Sequence, residues 1–197
     1  TINSGDEVII PAPYWVSYPD IVLMFGGVPK VVNCPVQNGF KITPDQLEST
    51  ITSNTKWLIL NSPSNPTGGA YSEEELKDLA NVLKKHPNVW ILTDDIYEHL
   101  VYDGFKFKTI AQVSPSLQNR TLTMNGMSKA YCMTGWRVGF AGGPEEIIKI
   151  MTKVQSQSIT HTAAVSQAAA IAALNGPHDF IEENNAMFEG RRVLVVS

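Results

Sequence analysis

Apolar residues along this chain fall into two alternating patterns. Short apolar runs recur at residues 7–10, 30–33, 57–60, 89–93, 121–124 and 138–141, and most lack the in-out alternation of a half-exposed strand, as expected of strands buried on both faces. Longer amphipathic stretches lie between and after them. Thr43-Pro44-Asp45-Gln46 supplies an N-cap, a proline in the first helical position and a glutamine three residues after the cap, which predicts a helix over 44–51. Ser72 with Glu75 forms a second capping box, after which Leu76, Leu79, Ala80 and Leu83 repeat on one helical face up to a stop near His86-Pro87. Residues 144–156, 162–174 and the run from 177 onward read as helices, with Gly176-Pro177 breaking the last two apart. Strands alternating with helices predict an α/β fold, a mostly parallel sheet flanked by helices in three layers.

Composition narrows the function classes. The 197 residues carry 15 Lys+Arg against 19 Asp+Glu, a formal charge of −4, and 43% of them are hydrophobic, enough to build a core and to exclude disorder as the main state. The basic residues form no stripe that could follow a phosphate backbone, so no nucleic-acid partner is expected. The longest apolar runs, such as Trp57-Leu58-Ile59-Leu60 and residues 168–174, fall short of the roughly 20 residues that cross a membrane, so no membrane partner is expected. Cys34 and Cys132 are too isolated for a metal motif and read as small, reduced, buried residues. No basic-then-apolar leader follows Thr1, and a cytoplasmic protein is expected. The chain opens on the turn Ser4-Gly5-Asp6 directly before a strand and closes inside an amphipathic run, so it is expected to be a piece of something longer.

Ligands of open α/β sheets bind outside the carboxyl ends of the strands. Three of these ends are unusual. The strand at 57–60 runs into Asn61-Ser62-Pro63-Ser64-Asn65-Pro66-Thr67-Gly68-Gly69, that at 89–93 into Asp94-Asp95-Ile96-Tyr97, and that at 121–124 into Asn125-Gly126-Met127-Ser128-Lys129. Singly, each is a turn, a helix cap or a surface lysine. Together, with Arg137 eight positions after the lysine, they supply a carboxylate, a phenol, an amide, an amine and a guanidinium, which are the parts for holding pyridoxal 5'-phosphate (PLP). A lysine forms a Schiff base with the cofactor aldehyde, a carboxylate keeps the ring nitrogen protonated, and an arginine fork suits the phosphate. A phenol and an amide can donate to the ring oxygen, and an aromatic such as Trp15 can cover the ring face. Once a substrate amine has displaced the lysine, proton transfer at the substrate α-carbon falls to that lysine.

These motifs, in this order, resemble those of the class I and II aminotransferases of PLP fold type I, in particular the bacterial aspartate aminotransferases and their aspartate/prephenate relatives. The matching stretches are residues 5–19 (GDEVIIPAPYWVSYP), Asn65-Pro66-Thr67-Gly68, Asp94-Asp95-Ile96-Tyr97-Glu98-His99, Ser128-Lys129-Ala130 and Met133-Thr134-Gly135-Trp136-Arg137. The resemblance implies that Lys129 is the Schiff-base lysine, Asp94 the partner of the ring nitrogen, and Tyr97 and Asn65 donors to the ring oxygen. It further implies that Arg137 holds the phosphate and that Trp15 lies beside the ring. Asp94 rather than Asp95 takes the nitrogen, because the family places its carboxylate three residues before the tyrosine. The implied activity is transfer of an amino group between an amino acid, aspartate or glutamate foremost, and a 2-oxo acid, in a protein that is a homodimer when full-length. Residues 1–180 would form the central part of the PLP-binding large domain, and 181–197 the start of a helix leading to a small domain.

The sequence also departs from the family pattern. Asp95 stands where many relatives have Glu, and Gly126 stands three residues before the lysine, where some branches have a phosphate-binding Ser; Ser128 is too close to the lysine to replace it. The glycine-rich phosphate turn and the arginine that grips the substrate carboxylate are not among these residues, and Arg191 and Arg192 do not match the latter. His99 and His161 read as polar packing residues, since no acidic spacing supports a triad. Gly135, Gly139 and Gly142 lack the GxGxxG spacing of a dinucleotide turn, and Cys132 reads as a buried structural thiol. The competing expectation is a folded but catalytically incomplete aminotransferase core, without activity of its own.

Overall fold

The computed structural model describes residues 1–197. Its centre is a six-stranded sheet in the order β2-β1-β3-β4-β5-β6, formed by β1 (Glu7–Ala12), β2 (Val28–Asn33), β3 (Thr55–Asn61), β4 (Trp90–Asp94), β5 (Thr121–Gly126) and β6 (Gly139–Gly142). Every neighbouring pair is parallel except β5–β6, which is antiparallel. All six strands expected from the apolar runs are present.

Helices cover both faces, which gives the expected three layers. One face carries α2 (Pro44–Thr50), α3 (Glu73–Lys85) and the short α4 (Ile110–Val113). Leu47, Leu76, Leu79, Leu83 and Ile110 from these helices close over Ile9, Leu58, Leu60 and Ile91 of the sheet in a core of 16 buried residues. The other face carries α1 (Ser17–Met24) and α5 (Glu145–Ser156), and its core has only 7 buried residues, among them Tyr18, Val22 and Ile147 beside Val8, Ile10, Trp57 and Leu122. Ile59, Trp90 and Leu92 on that face are only partly buried. The expectation of strands fully buried on both sides therefore holds on one face and only in part on the other. After α5 the chain continues through α6 (Ala164–Asn175) to α7 (Asp179–Val196).

Both predicted capping boxes form. The Thr43 side chain accepts from Gln46 N, and the Ser72 side chain accepts from Glu75 N, so one orphan donor at each helix start is satisfied. At the other end of α3, the Arg120 guanidinium donates to the carbonyls of Leu83, His86 and Val89, at 2.6, 2.8 and 2.5 Å. It ties the last turn of α3 to the entry of β4, the strand that ends in Asp94. The pattern gave no sign of α1: Pro19 sits in its first turn, where a missing N–H is tolerated, and no side chain caps it.

One expectation fails. Cys34 is buried, but Cys132 is exposed. It lies in the turn after Lys129 with φ at +54°, and its amide donates to the Lys129 carbonyl. The tight turn, and not the core, sets its surroundings.

Candidate active site

The carboxyl ends of β3, β4 and β5 open on one side into a cavity of about 270 Å³ lined by Trp15, Tyr18, Asn61, Asn65, Asp94, Ile96, Tyr97, Ser128, Lys129, Thr134 and Arg137. All six side chains singled out in the sequence (Trp15, Asn65, Asp94, Tyr97, Lys129 and Arg137) are in that lining. They arrive from four separate segments, so the convergence is a property of the fold and not of any one motif. His99 and His161 are outside it.

Asp94 is the last residue of β4, and both of its carboxylate oxygens accept hydrogen bonds. The Tyr18 hydroxyl donates to its Oδ2 at 2.7 Å, and the Ile96 amide reaches its Oδ1 at 3.4 Å. Burial, followed by the carboxylate beside it, pushes the Tyr18 phenol well above its ordinary value, so Tyr18 stays a donor and Asp94 an acceptor. Tyr97 lies one turn further on, and the Lys129 amine is 5.5 Å from the centre of its ring, within the range of a cation–π contact. Trp15 is 42% exposed and meets the Tyr18 ring edge-on at 5.5 Å.

Arg137 ends the 3-10 turn Thr134–Trp136 with φ at +55°, and its Nη1 donates to the Thr134 carbonyl at 2.7 Å. A non-glycine residue in the left-handed region is uncommon and concentrates at functional sites. Arg137 is in the lining of the cavity. Gly126 has a steric reason: a Cβ there would lie 3.0 Å from the Val138 carbonyl oxygen and 3.4 Å from Gly139 Cα. A side chain at this position would press on the backbone at the start of β6, which would have to give by a few tenths of an ångström.

Asp95, by contrast, faces the other way. It is 2% exposed, takes a hydrogen bond from the Thr93 hydroxyl, and burial pushes its carboxyl up to about 6. Arg192 is also elsewhere, paired with Asp103 through two bonds of 2.6 and 2.8 Å. The other five lining residues are Tyr18, Asn61, Ile96, Ser128 and Thr134; sequence reasoning sets Ser128 aside as a phosphate ligand and gives the other four no role. Tyr18 lies three residues after Trp15 and Ser128 beside Lys129, but nothing local says that a tyrosine at 18 reaches a carboxylate 76 positions away.

The donor set fits PLP. It provides an acid for a ring nitrogen, a phenol and an amide for a ring oxygen, an amine for an aldehyde and a guanidinium for a phosphate. The volume is near the lower end of ligand cavities, about 300–1,000 Å³, and suits one substituted ring better than a dinucleotide.

Comparison with known proteins points the same way. The family model for aminotransferase class I and II matches residues 1–197. An aspartate/prephenate aminotransferase of Cereibacter sphaeroides is 59% identical over the whole chain, which covers 49% of that protein. The crystal structure of the aspartate aminotransferase from Rhizobium meliloti superposes with a TM-score of 0.98 at 56% identity, over 100% of this chain and 49% of the other. An aromatic aminotransferase from Pyrococcus horikoshii OT3 superposes with a TM-score of 0.95 at 36% identity, over 99% of this chain and 52% of the other. The chain thus spans about half the length of the curated relatives it matches.

Proposed function

Because the chain belongs to the aminotransferase class I and II family, we propose that the whole protein is a PLP-dependent transaminase that moves an amino group between aspartate or glutamate and a 2-oxo acid. The observation that carries this reading is the convergence of Lys129, Asp94, Tyr97, Asn65, Arg137 and Trp15 on one cavity. When bound, PLP supplies an aldehyde for amines and an electron-withdrawing ring that stabilises the charge left on a substrate α-carbon.

The chain's own residues divide the remaining work. Asp94, its orientation held by Tyr18, would keep a positive charge on the ring nitrogen. Tyr97 and Asn65 would donate to the ring oxygen, Arg137 would hold the phosphate, and Trp15 would lie over one ring face. Lys129 would be the amine that holds the aldehyde and, when free, the base that takes and returns the proton at the substrate α-carbon.

The substrate side chain is not distinguished by this half of the protein. Relatives named for aspartate and for aromatic substrates share its backbone closely. We therefore rest the choice of aspartate on the curated relatives, which are named for aspartate or for aspartate and prephenate. The whole protein is proposed to be a cytoplasmic homodimer; no helix here is long and apolar enough to cross a membrane. Residues 1–180 are proposed as the central part of the cofactor-binding domain, with α7 leading on to a small domain.

Taken alone, the 197-residue chain is proposed to be catalytically incomplete. Trp15 is 42% exposed and Arg137 is exposed, so the cavity stands open to water, and Arg192 is engaged by Asp103. The experiment is to incubate the folded chain with PLP, reduce with borohydride and map the adduct by peptide mass spectrometry. An adduct confined to Lys129 is expected. Labelling of other lysines with Lys129 left unmodified overturns the assignment.

A further inference from the structure

We propose that Asn61 is a positioning residue that fixes the separation between the two sides of the cofactor site, and that it acts by tying the backbone of Asp94 to that of Asn65. This rests on the reading above, in which Asp94 serves the ring nitrogen and Asn65 the ring oxygen. Asn61 is the last residue of β3 and stands directly opposite Asp94 in the parallel register. Its Nδ2 donates to the Asp94 carbonyl at 2.8 Å, and its Oδ1 accepts from the Asn65 amide at 2.7 Å. One planar amide therefore connects both cofactor-facing residues.

The chemistry fixes which way the amide points. One partner is a carbonyl and the other an N–H, so the flipped orientation would lose both bonds and set like dipoles against each other. On one side Asn61 borders a space of only about 20 Å³ shared with Tyr18, Tyr71 and Ser64, roughly room for a single water; on the other it lines the larger cavity.

The ladder explains why a side chain is needed. Beyond Leu60–Thr93 the strands reach their ends, and the backbone bond that continues the ladder, from the Ser62 amide to the Asp94 carbonyl, is 3.4 Å long. Asn61 adds a shorter bond to the same carbonyl just where the chain turns into the loop carrying Asn65. A pyridine ring presents its nitrogen and its oxygen substituent at a fixed separation, so a bracket of fixed length lowers the ordering cost of binding it.

The test uses the full-length protein with bound PLP. Asn61→Ala, Asn61→Asp and, as a second small variant if alanine does not fold, Asn61→Ser are compared with the wild type. Two properties are read: the PLP dissociation constant, and the pH at which the visible absorption band of the bound cofactor changes. Asn61→Ala is expected to weaken PLP about tenfold and to move the absorption midpoint, because Asp94 and Asn65 lose their common tether. Asn61→Asp is expected to do more, since it sets an oxygen against the Asp94 carbonyl.

Asp94→Asn and Asn65→Ala run in parallel. If neither alters affinity or absorption, the cofactor reading itself fails. If they do, but every folded Asn61 variant keeps the wild-type midpoint and an affinity within about twofold, the bracket is overturned and Asn61 is only a loop-packing residue. In a double-mutant cycle, Asn61→Ala and Asn65→Ala together should cost less than the sum of the two, and strict additivity contradicts the coupling.

Discussion

The two faces of the sheet are built for different ends. Under α2, α3 and α4, 16 residues close into a core in which Ile9, Leu58, Leu83 and Ile91 are fully buried. Under α1 and α5 the core has 7 residues, and Ile59, Trp90 and Leu92 stay partly exposed. Strand alternation puts Asn61 in line with Ile59 and Asp94 in line with Leu92, so the polar groups of the site extend the sparsely filled face. Charged groups are costly to bury without partners, and the face with room and water is where an acid, an amine and a guanidinium can sit together.

Two adjacent carboxylates show the difference directly. Asp94 opens on the cavity with a tyrosine donor. Asp95, one residue on, turns to the filled face beside Thr93, where burial raises its carboxyl to about 6. The same residue type becomes a site group on one face and a poorly solvated core group on the other.

The sharpest break between the faces is Lys129→Ala. In the full-length protein it should lower transamination by at least about ten-thousand-fold while leaving the urea midpoint nearly unchanged; substantial residual turnover would show that the lysine is not the reacting amine. On the opposite face, Leu83→Ala should cost about 2–5 kcal/mol in urea unfolding, whereas Ile59→Ala, removed from a half-exposed position, should cost less. Equal losses would mean that the two faces contribute equally to cohesion.

Asp95→Asn comes next. Because the folded state holds the Asp95 proton more tightly than an ordinary carboxyl near 3.8, the charged acid is a burden that grows as pH rises from about 4 to about 6 and stays constant above. The substitution should therefore stabilise the chain at pH 8 by up to about 3 kcal/mol and have no stabilising effect below pH about 4. A gain that persists unchanged into acid would place its origin in packing. The smallest effect belongs to Ser72→Ala, about 1 kcal/mol from the lost cap of α3, measured by thermal unfolding, with cofactor labelling at Lys129 unaffected.

Much of this molecule was legible locally. The six strands, the two capped helices at Thr43 and Ser72, and the motifs that carry Asn65, Asp94, Tyr97, Lys129 and Arg137 depend on residues within a few positions of one another, through capping, periodicity and motif spacing. The sequence could not show α1, whose start has no capping side chain and which is held by Tyr18 and Val22 packing on the sheet. Nor could it show that Cys132 is turned outward, or that the backbone entering β6 crowds the position of a side chain at Gly126. The same holds for the hydroxyl of Tyr18 on Asp94 and the amide of Asn61 between Asp94 and Asn65. The sequence by itself determined which chemical groups are present and which elements carry them; the order of the strands and the unequal filling of the two faces decided where those groups meet, because contacts between distant residues follow from packing and not from local preference.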